Sequence, residues 1–246
     1  MVASRLYWEE VARSNQLPPD GDWFIWLILS GRGWGKTRTG AEWLANEAIT
    51  YPKTRWAIVA RTFADARDTC AEGESGIVNV LYRYQMLENW NRSMGEVMLK
   101  NGSRIKLFSA EEPDRLRGPQ HHGAWCDELA AWEDPDAWDQ LQFGLRLGTH
   151  PRSVVTTTPR PVPLLKSLIS RETTIITRGN TFENAKNLAP AALMELQARY
   201  AGTRLGRQEL EGELLEDMEG ALWTRGWIEK TRITTDKLPP LYRICL

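Results

Sequence analysis

Ser30-Gly31-Arg32-Gly33-Trp34-Gly35-Lys36-Thr37 sets a glycine-rich loop directly before a Lys-Thr pair. These residue types at this spacing build a cradle for nucleotide phosphates. Glycine at 31, 33 and 35 lets the backbone curl so that successive amides face inward. The N-terminus of a helix beginning near Lys36 adds to their positive field. In such a cradle Lys36, on a solvent-facing loop, reaches the β- and γ-phosphates of ATP, and the Thr37 hydroxyl holds Mg²⁺. Ser30 stands where the full pattern has glycine, a small-residue variant. A chance glycine-rich turn would give the same short string. The context argues for the cradle: the apolar run Trp23–Leu29 leads into it, and Thr39, Trp43, Leu44, Glu47 and Ala48 follow at helical spacing.

Binding becomes hydrolysis only with a carboxylate for the metal and another for water. Gly123-Ala124-Trp125-Cys126-Asp127-Glu128 supplies both at the end of a short apolar run. Asp127 would face Mg²⁺ through a water, and Glu128 would accept a proton from the attacking water. The plain alternative is a surface acidic pair closing a strand. A second run, Ser153-Val154-Val155-Thr156-Thr157-Thr158, passes from apolar to hydroxyl-bearing residues. Ligands of open α/β sheets sit beyond the carboxyl ends of the strands, so Thr156, Thr157 and Thr158 could sense the γ-phosphate and couple it to Pro159–Pro163. An ordinary threonine-rich strand reads the same way.

These groups need a sheet to align them. The chain has 246 residues, 42% hydrophobic and 26% charged, with net charge −1. That suits one large α/β domain and excludes a wholly basic surface, while leaving room for a local basic groove. Cys70, Cys126 and Cys245 are spaced for neither a disulfide framework nor a zinc site, which favours a reducing interior. Met1–Val11 carries Arg5, Glu9 and Glu10 and is no signal peptide. Trp23–Leu29 falls far short of the about 20 apolar residues that cross a bilayer, so no membrane partner is expected. The twelve tryptophans scatter along the chain as core or interface residues.

Apolar runs alternate with helical periods, which predicts an α/β fold: a mostly parallel central sheet flanked by helices. Strands are expected at Trp23–Ser30, Arg55–Arg61, Glu96–Lys100, Arg104–Ser109, Gly123–Asp127, Ser153–Thr157 and Thr173–Thr177. Lys100-Asn101-Gly102-Ser103 reads as a tight hairpin turn. Helices are expected at Ala3–Ser14, Lys36–Ile49, Phe63–Glu72, Pro135–Phe143, Pro163–Ser170, Pro190–Tyr200 and Arg204–Leu215. Residues 1–180 then form an ATPase core, 181–219 a small helical lid, and 220–246 a linker. The apolar run Tyr242–Leu246 reads as the opening strand of a further domain.

Gly31–Trp43, Gly123–Ala130 and Thr156–Pro161, with Asp114-Arg115-Leu116-Arg117-Gly118 between the first two, resemble the large terminase subunit of tailed bacteriophages and prophages. The match runs from about residue 20 to 220. It implies a RecA-like P-loop ATPase core with a lid, a ring of subunits around double-stranded DNA, and ATP-driven pumping of that DNA into a procapsid. The implied partners are the phage portal protein and the small terminase subunit, in the host cell cytoplasm; the domain alone could be monomeric. The family continues into an RNase H-like nuclease domain, so no cleavage activity is expected of this chain. A glutamine before the phosphate loop often contacts adenine in the family, and Gln16 is the glutamine available.

An arginine meeting transition-state charge accelerates hydrolysis by about 10³ to 10⁵. Arg32 could serve its own subunit from within the loop, and Arg117 could reach a neighbour; the resemblance favours Arg117. For DNA, a motor grips phosphates rather than bases. Arg83, Lys100, Arg104 and Lys106 surround the expected hairpin and could form a basic ridge, although charges that protect a solvated sheet edge would look alike. The residues of the loop and acidic pair alone would also allow a helicase, or a nucleotide-gated module docking on a capsid portal.

Overall fold

The computed structural model describes residues 3–215, 223 and 225–232. They fall into two compact units, residues 1–214 and 215–246.

In the first unit a helix, α1 (Ala3–Val11), precedes β1 (Ile25–Ser30), and α2 (Lys36–Thr50) follows the glycine-rich loop. Next come β2 (Arg55–Ala60), a π-helix (Asp65–Ala71), α3 (Ile77–Arg83), β3 (Leu87–Asn91), β4 (Glu96–Leu99) and β5 (Arg104–Ser109). Then β6 (Gly123–Asp127), α4 (Asp136–Gly144), β7 (Arg152–Thr157), α5 (Pro163–Ile169) and β8 (Thr174–Gly179) complete the sheet. Its order is β3-β4-β5-β2-β6-β7-β1-β8, parallel except where β4 meets its two neighbours. All six residues of β1 are buried, as a strand covered on both faces must be. Alternation sends Trp26, Ile28, Trp56 and Ile58 into one core and Ile25, Leu27, Ala57 and Val59 into the other.

One strand and one helix of the first unit escape the sequence reading, as does the helix Arg225–Thr231 in the stretch read as an irregular linker. The strand β3 (Leu-Glu-Asn-Trp-Asn) has weak strand propensity and exists by pairing with β4 at the sheet edge. The helix α3 has only seven residues and is held by burial of Ile77, Val80 and Leu81. The segment expected as the helix Phe63–Glu72 is wound as a π-helix, with the Glu72 amide donating to the Arg67 carbonyl at 2.9 Å. The hairpin turn forms as expected: the Leu99 amide donates to Ser103 at 2.9 Å, and Gly102 takes φ +82°.

After β8, a 3-10 segment (Thr181–Asn187) starts from an Asn180 cap and is followed by α6 (Pro190–Tyr200) and α7 (Arg204–Glu209). The helix expected to reach Leu215 ends at Glu209. Gly212 turns with φ +70° and passes so close to Gly179 and Gly31 that a side chain there would not fit. In the second unit, α8 (Arg225–Thr231) closes with the Thr231 hydroxyl donating to the Trp227 carbonyl at 2.8 Å. The strand expected at Tyr242–Leu246, and most of the expected linker, lie outside the described residues.

Candidate nucleotide site

The strands β1, β7 and β6 are neighbours in the sheet, so the segments leaving their carboxyl ends converge. These are the glycine-rich loop, Thr158 and the Asp127-Glu128 pair. Lys36 Nζ lies 3.1 Å from Thr158 Oγ1 and 3.5 Å from Glu128 Oε1, and it donates to the carbonyls of Ser30 and Gly31 at 3.2 and 3.3 Å. The lysine is only 7% exposed. It does not face solvent as its loop position suggested, because a carboxylate and three oxygens compensate its burial.

The amides of the loop divide into two sets. Gly31 donates to the Gly179 carbonyl at 3.1 Å, Arg32 to Glu209 at 2.7 Å and Trp34 to Gly31 at 3.4 Å. Those three therefore do not join an inward-facing set, contrary to the expectation of a continuous cradle. The amides of Gly33, Gly35, Lys36 and Thr37 have no hydrogen-bond partner among the described residues. Gly33 at φ +74° and Gly35 at φ +106° hold this curl, which a side chain would strain. The unpaired amides lie at the start of α2, where the first helical N–H groups lack internal acceptors. Gly33, Gly35, Lys36 and Thr37, with Arg32 and Glu128, line a cleft of 910 Å³. Unpaired donors, a lysine and a cleft of this size fit a nucleotide polyphosphate.

Ser30, Gly31 and Trp34, read as nucleotide contacts, do not line that cleft. They brace the loop from behind. Trp34 is fully buried, its indole donating to Glu183 Oε2 at 2.9 Å and its ring filling the space that a side chain on Gly179 would need.

Asp127 is 6% exposed, and its Oδ1 accepts from the Thr156 hydroxyl at 2.7 Å. Burial, and then the Glu128 charge, push its carboxyl up to about 6, against the opposing pull of Thr156, Lys36 and the Cys70 thiol. Glu128 turns the chain at φ +47° and keeps its side chain 42% exposed. Its Oε2 accepts from the Thr158 amide at 3.1 Å. The three threonines thus divide the contacts. Thr156 holds Asp127, Thr157 accepts from the Ala130 amide at 3.1 Å, and Thr158 touches both Lys36 and Glu128.

The two arginine candidates are placed differently. Arg32 lines the cleft but is drawn to Glu209 of α7, Nε to Oε2 at 2.6 Å. Arg117 is exposed on the loop after the 3-10 turn Pro113–Leu116 and lines no part of the cleft. The basic residues also separate. Arg104 and Lys106 share one face of β5, Lys100 stands at the hairpin turn, and Arg83 lies 3.6 Å from the buried Glu42 of α2.

Three cleft residues carry no sequence signal. Arg13 donates to Asn184 Oδ1 at 3.0 Å and to the Trp34 carbonyl at 2.5 Å, its guanidinium over the Trp34 ring. Asn184 in turn donates to the Gly33 carbonyl at 2.7 Å, and Leu188 lies against Gly33. Gln16 lines the same cleft, its amide donating to Thr39 Oγ1 at 3.0 Å.

A family model described as terminase large subunit, T4likevirus-type, N-terminal, matches residues 27–230. The chain belongs to this family. No curated protein sequence matches it. Among solved structures, the large terminase ATPase domain of Thermus phage P74-26 is similar with a TM-score of 0.63 at 15% identity, covering 85% of this chain and 97% of that one. The large terminase of a second thermophilic bacteriophage, in complex with ADP, gives 0.64 at 13% identity over 87% of this chain and 52% of its own. That of bacteriophage HK97 gives 0.57 at 17% identity, over 78% and 47%. This terminase chain therefore spans about half the length of the last two, and its mixed sheet flanked by helices is the RecA-like terminase fold. No helix among the described residues is long and apolar enough to cross a membrane.

Proposed function

We propose that this terminase domain hydrolyses ATP to drive double-stranded DNA into a phage procapsid. The observation that carries the reading is the meeting of Lys36, Glu128 and Thr158 within 3.5 Å at the mouth of a loop with four amides unpaired among the described residues. When bound, ATP with Mg²⁺ supplies the scissile phosphoanhydride and a divalent charge that stabilises the departing phosphate. Gly33, Gly35, Lys36 and Thr37 hold the phosphates, and the Thr37 hydroxyl with Asp127 holds the metal. Glu128 accepts the proton of the attacking water. Thr158 bridges Lys36 and Glu128, so it registers whether the lysine is engaged with phosphate and passes that state to Pro159–Pro163.

Residues 1–180 act as the motor core, 181–219 as the lid and 220–246 as the lead into a nuclease domain. Subunits assemble as a ring with Arg117 reaching the neighbouring site, on the portal protein and with the small terminase subunit, in the host cytoplasm. The pairing of Arg32 with α7 favours Arg117 for that role. The test is Glu128→Gln: it should bind ATP and Mg²⁺ as the parent does and lose hydrolysis by about 10² or more, with turnover of the parent rising when duplex DNA is added. Hydrolysis at the parental rate in Glu128→Gln overturns the assignment of the base, and no response to DNA overturns the motor.

A further inference from the structure

On one face of the sheet the first residues of β2 and β5, Arg55 and Arg104, are exposed. The side chains of Arg55 on β2 and of Arg104 and Lys106 on β5 point to this face, Arg55 and Arg104 being register partners in adjacent parallel strands. They line a groove of 960 Å³ that starts at Lys53, below the strands, and ends at Arg115, beyond their carboxyl ends. Its two carboxylates are already engaged, Glu96 lying 3.6 Å from Arg104 and Glu112 2.5 Å from Arg115. Lys53, Arg55 and Lys106 form no ion pair among the described residues. His121, 3% exposed, lies in the floor of the groove, and neither of its buried ring nitrogens has a hydrogen-bond partner among the described residues.

We infer that this groove is the track along which the motor holds the phosphate backbone of duplex DNA. The inference rests on the motor reading and replaces the hairpin ridge by a different set of residues: Arg83 and Lys100 leave it, and Lys53, Arg55 and Arg115 join Arg104 and Lys106. Phosphate binding without sequence readout requires cations repeated along a line rather than a closed pocket. Strand residues two apart on one face give that repeat, about 6.6 Å at each step.

The test is binding of the full chain to a random-sequence 30-base-pair duplex as KCl is varied. Each phosphate contact contributes about 0.9 to the slope of log affinity against log salt. Arg55→Ala with Lys106→Ala should lower that slope by about 2 and weaken binding at least tenfold at low salt. Arg55→Lys with Lys106→Arg should retain the parental slope, and Arg171→Ala, which removes a charge on another surface, should leave it unchanged. Independently of any variant, bound duplex should protect Lys53 and Lys106 of the parent chain from acetylation. An unchanged slope in the alanine pair, or unprotected lysines on a chain that does bind duplex, overturns the track and leaves the motor standing. A parent chain that binds polyglutamate but no duplex overturns both.

Discussion

Glu209 holds Arg32 twice: its carboxylate meets the guanidinium at 2.6 Å, and its carbonyl accepts the Arg32 amide at 2.7 Å. A residue of the glycine-rich loop is thus fastened to α7 by both backbone and side chain. The side-chain pair is largely exposed on the arginine side, 71%, so its own contribution to stability is at most about 1 kcal/mol. Arg32→Glu combined with Glu209→Arg should therefore restore the parental melting temperature that either single change lowers. If Arg32 also serves the phosphates, turnover of the swapped protein stays low. Recovery of both melting temperature and turnover would make Arg32 a strut alone.

Lys36→Ala should abolish hydrolysis and also cost roughly 1–3 kcal/mol of stability, because it strips a buried donor from Ser30, Gly31 and Thr158. Lys36→Arg should not rescue turnover, since a planar guanidinium cannot take the place of a compact ammonium in a site 7% exposed. Steady-state ATPase assays with urea unfolding check both. Undiminished turnover in Lys36→Ala would remove the nucleotide site from this cleft.

Arg117 decides whether the domain works alone. With the arginine supplied by a neighbour, activity per subunit should rise with protein concentration, and Arg117→Ala should remove the rise while sparing nucleotide affinity. Mixing Arg117→Ala with Glu128→Gln should partly restore turnover, the second donating its arginine to the intact base of the first. Co-assembled mixtures without restoration would mean that Arg117 is no trans donor.

His121 should give the protein a distinct pH dependence. Burial, then the charges of His122 and Arg55, lower its pKa from 6.5 to about 4. The folded state therefore excludes a proton that the unfolded chain takes up below 6.5. Stability contributed by the neutral ring is complete above pH 6.5 and is lost as the pH falls towards 4, by up to about 3 kcal/mol. His121→Phe should flatten denaturation midpoints between pH 4 and 6.5; an unaltered slope would place the titrating group elsewhere.

Much of this site was legible because its parts are local in sequence. Gly33, Gly35, Lys36 and Thr37 announce a loop, and Asp127-Glu128 a strand end, by residue type and by the apolar runs before them. The strands Arg104–Ser109 and Gly123–Asp127 and the helix Pro190–Tyr200 have the bounds that pattern alone suggests. What stayed hidden depends on distant pairing. Glu209 lies 177 positions from Arg32 and Asn184 171 from Arg13, so no spacing rule links them. Burial of Lys36 was equally hidden, because the compensating oxygen on Thr158 comes from another strand. The edge strand β3 failed for a third reason: its Glu88 and two asparagines favour no strand until β4 lies beside them.

The contact between the Trp34 indole and Gly179 carries a consequence for how such a protein can diverge. A ring fills the place of an absent side chain, so neither position is free to mutate first. A larger residue at 179 would expel the indole and undo the Glu183 bond behind the loop, and a smaller one at 34 would leave a void beside the glycine. Lineages that cross this barrier should therefore carry paired replacements at 34 and 179. Among relatives the two sites should covary although they lie 145 positions apart.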